Sequence, residues 1–95
     1  MSSTARILPA SHNALLRAED ARRECLARID ERFGWLKRLV ALQGGAVESL
    51  EPHQRLLWHA RESVVGTYNR VSQIPNLERR ERAYRRLAAE CTRLR

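Results

Sequence analysis

The sequence predicts an all-α protein, either an antiparallel helical hairpin or a three-helix bundle with a long first helix. Arg, Leu, Ala and Glu, which are good helix formers, dominate the composition, while aromatic residues make up only 5%. The 4 glycines and 3 prolines fall at a few sites. Between those sites, apolar residues recur at steps of three and four, which is the period of an amphipathic helix.

The chain has 95 residues and is short enough to form a single domain. We predict a flexible N-terminal arm over residues 1–10 and one helical domain over residues 11–95. A chain of this length buries a modest core, so its stability is marginal. We therefore expect a second copy or another protein to complete the core.

The first helix is predicted over about residues 12–43, with Ser11 or Asn13 as its N-cap. Gly44 and Gly45 are expected to end it, because glycine adopts the left-handed C-cap conformation. Gly34 inside it suggests a bend or a close helix approach. Its apolar face comprises Leu15, Ala18, Cys25, Leu26, Ile29, Phe33, Leu36 and Val40.

The second and third helices are predicted over about residues 50–73 and 76–94, and Pro75 decides how they are joined. If the chain turns at Pro75, the third helix runs parallel to the first and closes a bundle. If Pro75 only kinks the chain, both segments form one bent arm and leave an open hairpin. We favour the turn. The two inward seams are His53, Leu57, Ala60, Val64, Tyr68 and Val71, and Leu77, Tyr84, Leu87, Ala88, Cys91 and Leu94.

A second apolar stripe of Trp35, Leu39 and Leu42 points away from the main seam of the first helix. The second helix offers a matching flank, of which Trp58 and Val65 are the candidate binding residues. Large aromatic side chains outside a seam are typical of interfaces. The alternative is that a third helix covers this stripe inside a bundle.

The net charge is +7 and the isoelectric point is about 10.9, with the surplus in the first and last helical segments. Such values are typical of proteins that bind nucleic acid or acidic partners, and a codon bias toward arginine in a GC-rich genome explains the surplus equally well. On the third helix, Arg79, Arg82, Arg86 and Arg93 form a row that could contact several phosphates. The commoner explanation is a solvated face supported by the helical pairs Glu78–Arg82 and Glu81–Arg85.

Two arginines fall within the apolar seams. Arg22 lies near the centre of the first seam and calls for a carboxylate from Glu62, Glu81, Glu90 or a partner. Arg80 lies in the first turns of the third helix, where we expect its stem to reach water.

No pattern in the sequence predicts a metal site, a cofactor or a targeting segment. Cys25 and Cys91 fall on apolar faces as small hydrophobic residues, and His53 and His59 lie on different helix faces. No signal peptide and no apolar run of spanning length is visible, so we expect a cytoplasmic protein without a membrane span.

We predict no catalytic residues, because the spacings offer no nucleophile–base pair and no phosphate loop. Over Ile29-Asp30-Glu31 and Leu36–Leu42 the first helix is similar to that of the chorismate mutases, whose sites hold a dicarboxylate with arginines. The later helices contain no counterpart of that family's polar site residues, so the similarity does not extend to an enzyme.

The sequence therefore favours a small non-enzymatic interaction module, such as an adaptor, chaperone or inhibitor. It would bind another protein, or itself as a homo-oligomer, through amphipathic helix faces. The alternative is a basic accessory protein that binds nucleic acid through the arginine row of the last helix.

Overall fold

The computed structural model describes residues 10–93, with side chains from residue 12 onward, and within that range it is an all-α bundle of three helices. Helix α1 spans Ala10–Leu42, α2 spans Pro52–Val71 and α3 spans Leu77–Arg93. A short 3-10 turn at Val47–Ser49 joins α1 to α2. Apart from Ala10, which already belongs to α1, the arm expected over residues 1–10 lies outside the described residues, as does Leu94 of the third seam.

The helix ends follow local sequence signals. Gly44 (φ 71°) and Gly45 (φ 83°) close α1, and their amides donate to the Ala41 and Val40 carbonyls, which forms a Schellman motif. Helix α2 begins with a capping box, in which Glu51 and Gln54 each bond the other's backbone. The expected N-caps Ser11 and Asn13 instead lie inside the first turn of α1, because the helix already includes Ala10.

Pro75 marks a turn, which confirms the bundle over the open hairpin. The Asn76 side chain caps α3 by accepting a hydrogen bond from the Arg79 amide at 2.9 Å. The Arg80 guanidinium donates to the Ile74 carbonyl at 2.9 Å and fixes the turn from inside, rather than extending to water alone. Helix α3 therefore runs parallel to α1, since Glu81 near the start of α3 forms an ion pair with Arg17 near the start of α1.

The core has two parts. The main core lies where all three helices meet and comprises Ala21, Cys25, Ile29, Phe33, Val71, Tyr84, Leu87, Ala88 and Cys91. The tip core lies at the α1–α2 turn and comprises Leu36, Val40 and Leu50, with Leu39, Val47, Leu57 and Trp58 packed against it. No described residue of α3 belongs to the tip core, so among residues 10–93 two helices and the short turn between them enclose it.

Candidate interaction surfaces

Helix α3 lies in the groove between α1 and α2, and its described residues, Leu77–Arg93, cover only part of the length of that groove. On α1 it packs beside Ala21, Glu24 and Arg28, and on α2 beside Ala60, Ser63, Val64 and Thr67. The charge of Arg32 acts on the thiol of Cys91, so the last turn of α3 lies close to Arg32. Helix α1 continues for ten residues beyond Arg32 to Leu42, a rise of about 15 Å.

The predicted stripe on α1 continues the face against which α3 packs. Positions seven apart share one helix face, so Trp35 and Leu42 follow directly from Ala21 and Arg28. Trp35 is 39% exposed and Leu42 is 85% exposed, whereas Leu39 is half-buried against the tip core. The described residues of α3 do not cover this stripe, so Trp35 and Leu42 are open to solvent.

Leu56 borders the same groove from α2 and was not among the residues singled out from the sequence. It precedes Ser63 by seven positions and therefore lies on the α2 flank that faces α3 further along. Its side chain is 72% exposed. It lies outside the inward seam of α2 and beyond the level that the described residues of α3 reach. We call the segment bordered by Arg32, Trp35, Leu39, Leu42 and Leu56 the open groove.

Trp58 and Val65 do not join the stripe on α1. They are seven residues apart and, at about 100° per residue, lie on the α2 flank away from α3. Trp58 packs against the tip core beneath the Arg61 guanidinium, 4.9 Å from the ring centroid, and Val65 packs against the main core. The structure thus divides the five candidate apolar residues between two flanks of the α1–α2 layer.

Arg32 lies at the junction between the end of α3 and the open groove. Its guanidinium carbon is 5.8 Å from the centre of the Phe33 ring, and its buried Nε has no hydrogen-bond partner among the described residues. Arg38 sits beside Trp35 and Leu42 on the helix surface and is exposed. Neither arginine has a carboxylate within 4.0 Å in residues 12–93.

The four arginines of the row on α3 lie on the helix face opposite the core. Arg79, Arg82, Arg86 and Arg93 are all exposed, and the first three border one shallow depression with Ile74 and Ala83. Glu81 pairs with Arg85 at 3.1 Å and with Arg17 at 3.4 Å, so its charge is directed away from the row. The expected Glu78–Arg82 pair does not form. Within the described chain the row carries no ion pair.

Arg22 finds its partners without a carboxylate from another helix, contrary to the prediction from the sequence. It is half-exposed, pairs with Glu19 at 2.9 Å on its own helix and donates to the Tyr68 hydroxyl at 3.4 Å. The hydrogen bond with Tyr68, followed by the interaction with Glu19, raises the pKa of Arg22. Arg22 therefore stays charged at the α1–α2 contact and is satisfied within the chain.

The two cysteines are fully buried in the main core as free thiols. Burial, followed by the proximity of Cys91, raises the pKa of Cys25 from 9.0 to about 11. Such a thiol is almost entirely protonated at neutral pH, and the thiolate is the reactive form. The cysteines therefore pack as small apolar residues, as the sequence indicates.

Residues 10–93 show neither a metal-binding cluster nor a membrane-spanning helix. This part of the chain holds no cluster of three or more His, Cys, Asp or Glu side chains suited to a metal ion. None of its helices combines the length and apolarity needed to cross a membrane. Comparison with protein-family models, curated proteins and solved structures finds no match for this chain.

Proposed function

We propose that this protein is a non-enzymatic interaction module that binds another protein through the open groove at its two-helix end. The observation that carries the proposal is the exposure of Trp35, Leu42 and Leu56 along a groove that α3 fills only in part. Side chains of this kind, clustered beside a tryptophan, are typical of binding anchors. An adaptor, a chaperone or an inhibitor would all use such a surface.

Position-specific photo-crosslinking in the native host tests this function. A photoreactive phenylalanine analogue at position 42 or 56 should yield a discrete protein adduct. The same analogue at position 16 is the matched control, because Leu16 is 50% exposed on α1 but lies away from the groove. Adducts of equal yield and pattern from positions 42 and 16 would remove this function.

A second candidate function is sequence-tolerant binding of nucleic acid through the arginine row. It is favoured by the absence of ion pairs at Arg79, Arg82, Arg86 and Arg93 within the described chain, where several other exposed arginines are paired. Four such contacts with duplex phosphates would give a salt dependence with a slope of about −3.6 in log K against log salt. The bound fraction would then fall steeply as salt is raised.

Fluorescence anisotropy with a labelled DNA duplex tests this second function. Changing the four arginines to glutamine should abolish binding and flatten the salt dependence. Arg23→Gln is the control, because Arg23 is exposed and already paired with Asp20 on α1. Binding that survives the fourfold change would exclude the row as a nucleic-acid site.

A further inference from the structure

We infer that the occupant of the open groove is an acidic amphipathic helix of a partner protein, which lies end to end with α3 and runs in the same direction. This inference rests on the function proposed above and specifies its partner. It follows from the width of the groove, the chemistry of its border and the polarity of α3.

The width of the groove is set by a helix that already lies in it. Helix α3 occupies the space between α1 and α2 up to the level of Arg32, with Leu87 and Ala88 inward. Beyond that level the same two helices continue, and α1 presents apolar side chains at the spacing that faced α3. A helix of about ten residues, or three turns, would span the roughly 15 Å that remains.

The floor and the sides of the open groove require an apolar face on the occupant. Leu39 and Leu57 are half-buried at the tip core, and Trp35, Leu42 and Leu56 stand at the edges with much of their surface in water. A helix with one apolar stripe would cover these five side chains and leave its polar face in solvent.

The charges around the open groove call for carboxylates. Arg32 is half-buried near the end of α3, and its charge has no carboxylate within 4.0 Å among residues 12–93. Arg93, in the last described turn of α3, is exposed and has no ion pair in that range. A carboxylate in the first turn of the occupant would form an ion pair with Arg32.

The polarity of α3 sets the direction of the occupant. The C-terminal end of α3, at Arg93, carries the negative end of its helix dipole. A helix that begins there presents its positive end to α3, and acidic side chains are favoured in its first turn. The same first turn lies beside Arg32. Dipole alignment and the need for a carboxylate therefore both place the acidic N-terminus of the occupant next to α3.

A second copy of this chain matches the charge of the groove poorly. Each chain has a net charge of +7, so two copies repel each other before their apolar surfaces meet. An acidic partner is instead attracted over distance and gains in association rate. We therefore assign the groove to a different, acidic protein.

The test is fluorescence anisotropy with labelled, stapled helical peptides of about ten residues and the full chain. One peptide carries an apolar stripe and Asp and Glu in its first turn. A second has lysine in place of those acids, and a third is a scrambled form of the first. Each peptide is made in several versions with Leu, Ile, Met or Phe in the apolar stripe, because the shape of the groove determines which side chain fits.

We expect the acidic peptide to bind at least about tenfold more tightly than the lysine peptide, a ratio equivalent to 1.4 kcal/mol. The double variant Leu42→Ser, Leu56→Ser should weaken binding of the acidic peptide by a similar factor, while Leu16→Ser should leave its affinity unchanged. Arg32→Met should remove the preference for acid and leave the affinity for the lysine peptide unchanged.

Equal affinity for the acidic and lysine peptides, absence of binding by the whole set, or insensitivity to Leu42→Ser and Leu56→Ser would overturn the inference. Sedimentation velocity of the chain alone adds a further outcome. A dimer that dissociates on Leu42→Ser would assign the groove to a second copy and would also overturn it. If position 42 still crosslinks to a partner protein but the acidic and lysine peptides bind equally well, the proposed function stands and only this inference fails.

Discussion

The covered half of the bundle and its two-helix tip contain similar apolar residues, but they are closed in different ways. In the covered half, α3 lies over the α1–α2 layer and the main core is sealed from three sides. At the tip, the described elements that enclose the tip core are α1, α2 and a short turn, and Trp35, Leu42 and Leu56 are exposed. In the described residues α3 spans 17 residues against 33 in α1, so it covers only part of the α1–α2 layer. The covered half holds the main core, and the tip leaves apolar side chains exposed.

The largest effect should separate a residue of the main core from its neighbour on the groove. Phe33 is 2% exposed, so Phe33→Ala should lower the free energy of unfolding by about 3–5 kcal/mol through lost burial and a cavity. Trp35→Ala, two positions away and partly exposed, should cost less than about 1 kcal/mol. Urea denaturation followed by circular dichroism measures both. Similar losses for the two variants would mean that Trp35 supports the fold rather than a binding surface.

The next effect concerns the pH dependence of the covered half. The pKa of Cys25 is raised to about 11 in the folded chain, against 9.0 ordinarily, so the unfolded chain ionises first. The associated stability is present below about pH 9 and should be lost as the pH rises toward 11, by up to ~3 kcal/mol. Thermal unfolding between pH 8 and pH 11 measures this loss, with Cys25→Ala as the control. An equal decline in that variant would assign the loss to other groups, among them Tyr84, whose pKa burial also raises.

A smaller effect is expected at Gly34, near the boundary between the two regions. A Cβ there would meet only the flexible end of Arg38 at 3.4 Å, so no other helix requires the close approach that the sequence suggested. Gly34→Ala should therefore raise the free energy of unfolding by about 0.5–1 kcal/mol. The opposite sign is expected for Gly44→Ala, because Gly44 has a φ of 71°. Thermal melts compare the two, and destabilisation by Gly34→Ala would reveal a backbone constraint at that position.

The smallest effect is expected from removing one hydroxyl in the main core. The Tyr84 hydroxyl is buried without a hydrogen-bond partner among the described residues, while its ring lies 5.5 Å from that of Tyr68. Tyr84→Phe keeps the ring and removes the unpaired polar group, so stability should be unchanged or rise by up to about 1 kcal/mol. A loss of more than 1 kcal/mol in chemical denaturation would show that the hydroxyl is bonded in solution.

The sequence was sufficient for the three helices and for the turn at Pro75, because apolar spacing and capping residues are local signals. It also identified Trp35 and Leu42 as lying outside the main seam. It grouped Trp58 and Val65 with them, since periodicity does not reveal on which side of the α1–α2 layer the third helix packs. Leu56 was missed for a related reason. Its exposure depends on how α3 is staggered along α2, and that stagger is set by packing between helices.

Tryptophan fluorescence offers the most direct test of the claim that the α3 groove continues as an open binding surface. In a Trp58→Phe chain, Trp35 is the only tryptophan and its emission reports on the edge of the open groove. The acidic amphipathic peptide should shift this emission to shorter wavelength as Trp35 leaves water, whereas the lysine peptide should not at the same concentration. An emission maximum that stays unchanged while the acidic peptide binds, as judged by the anisotropy of the peptide, would place the binding site away from the open groove.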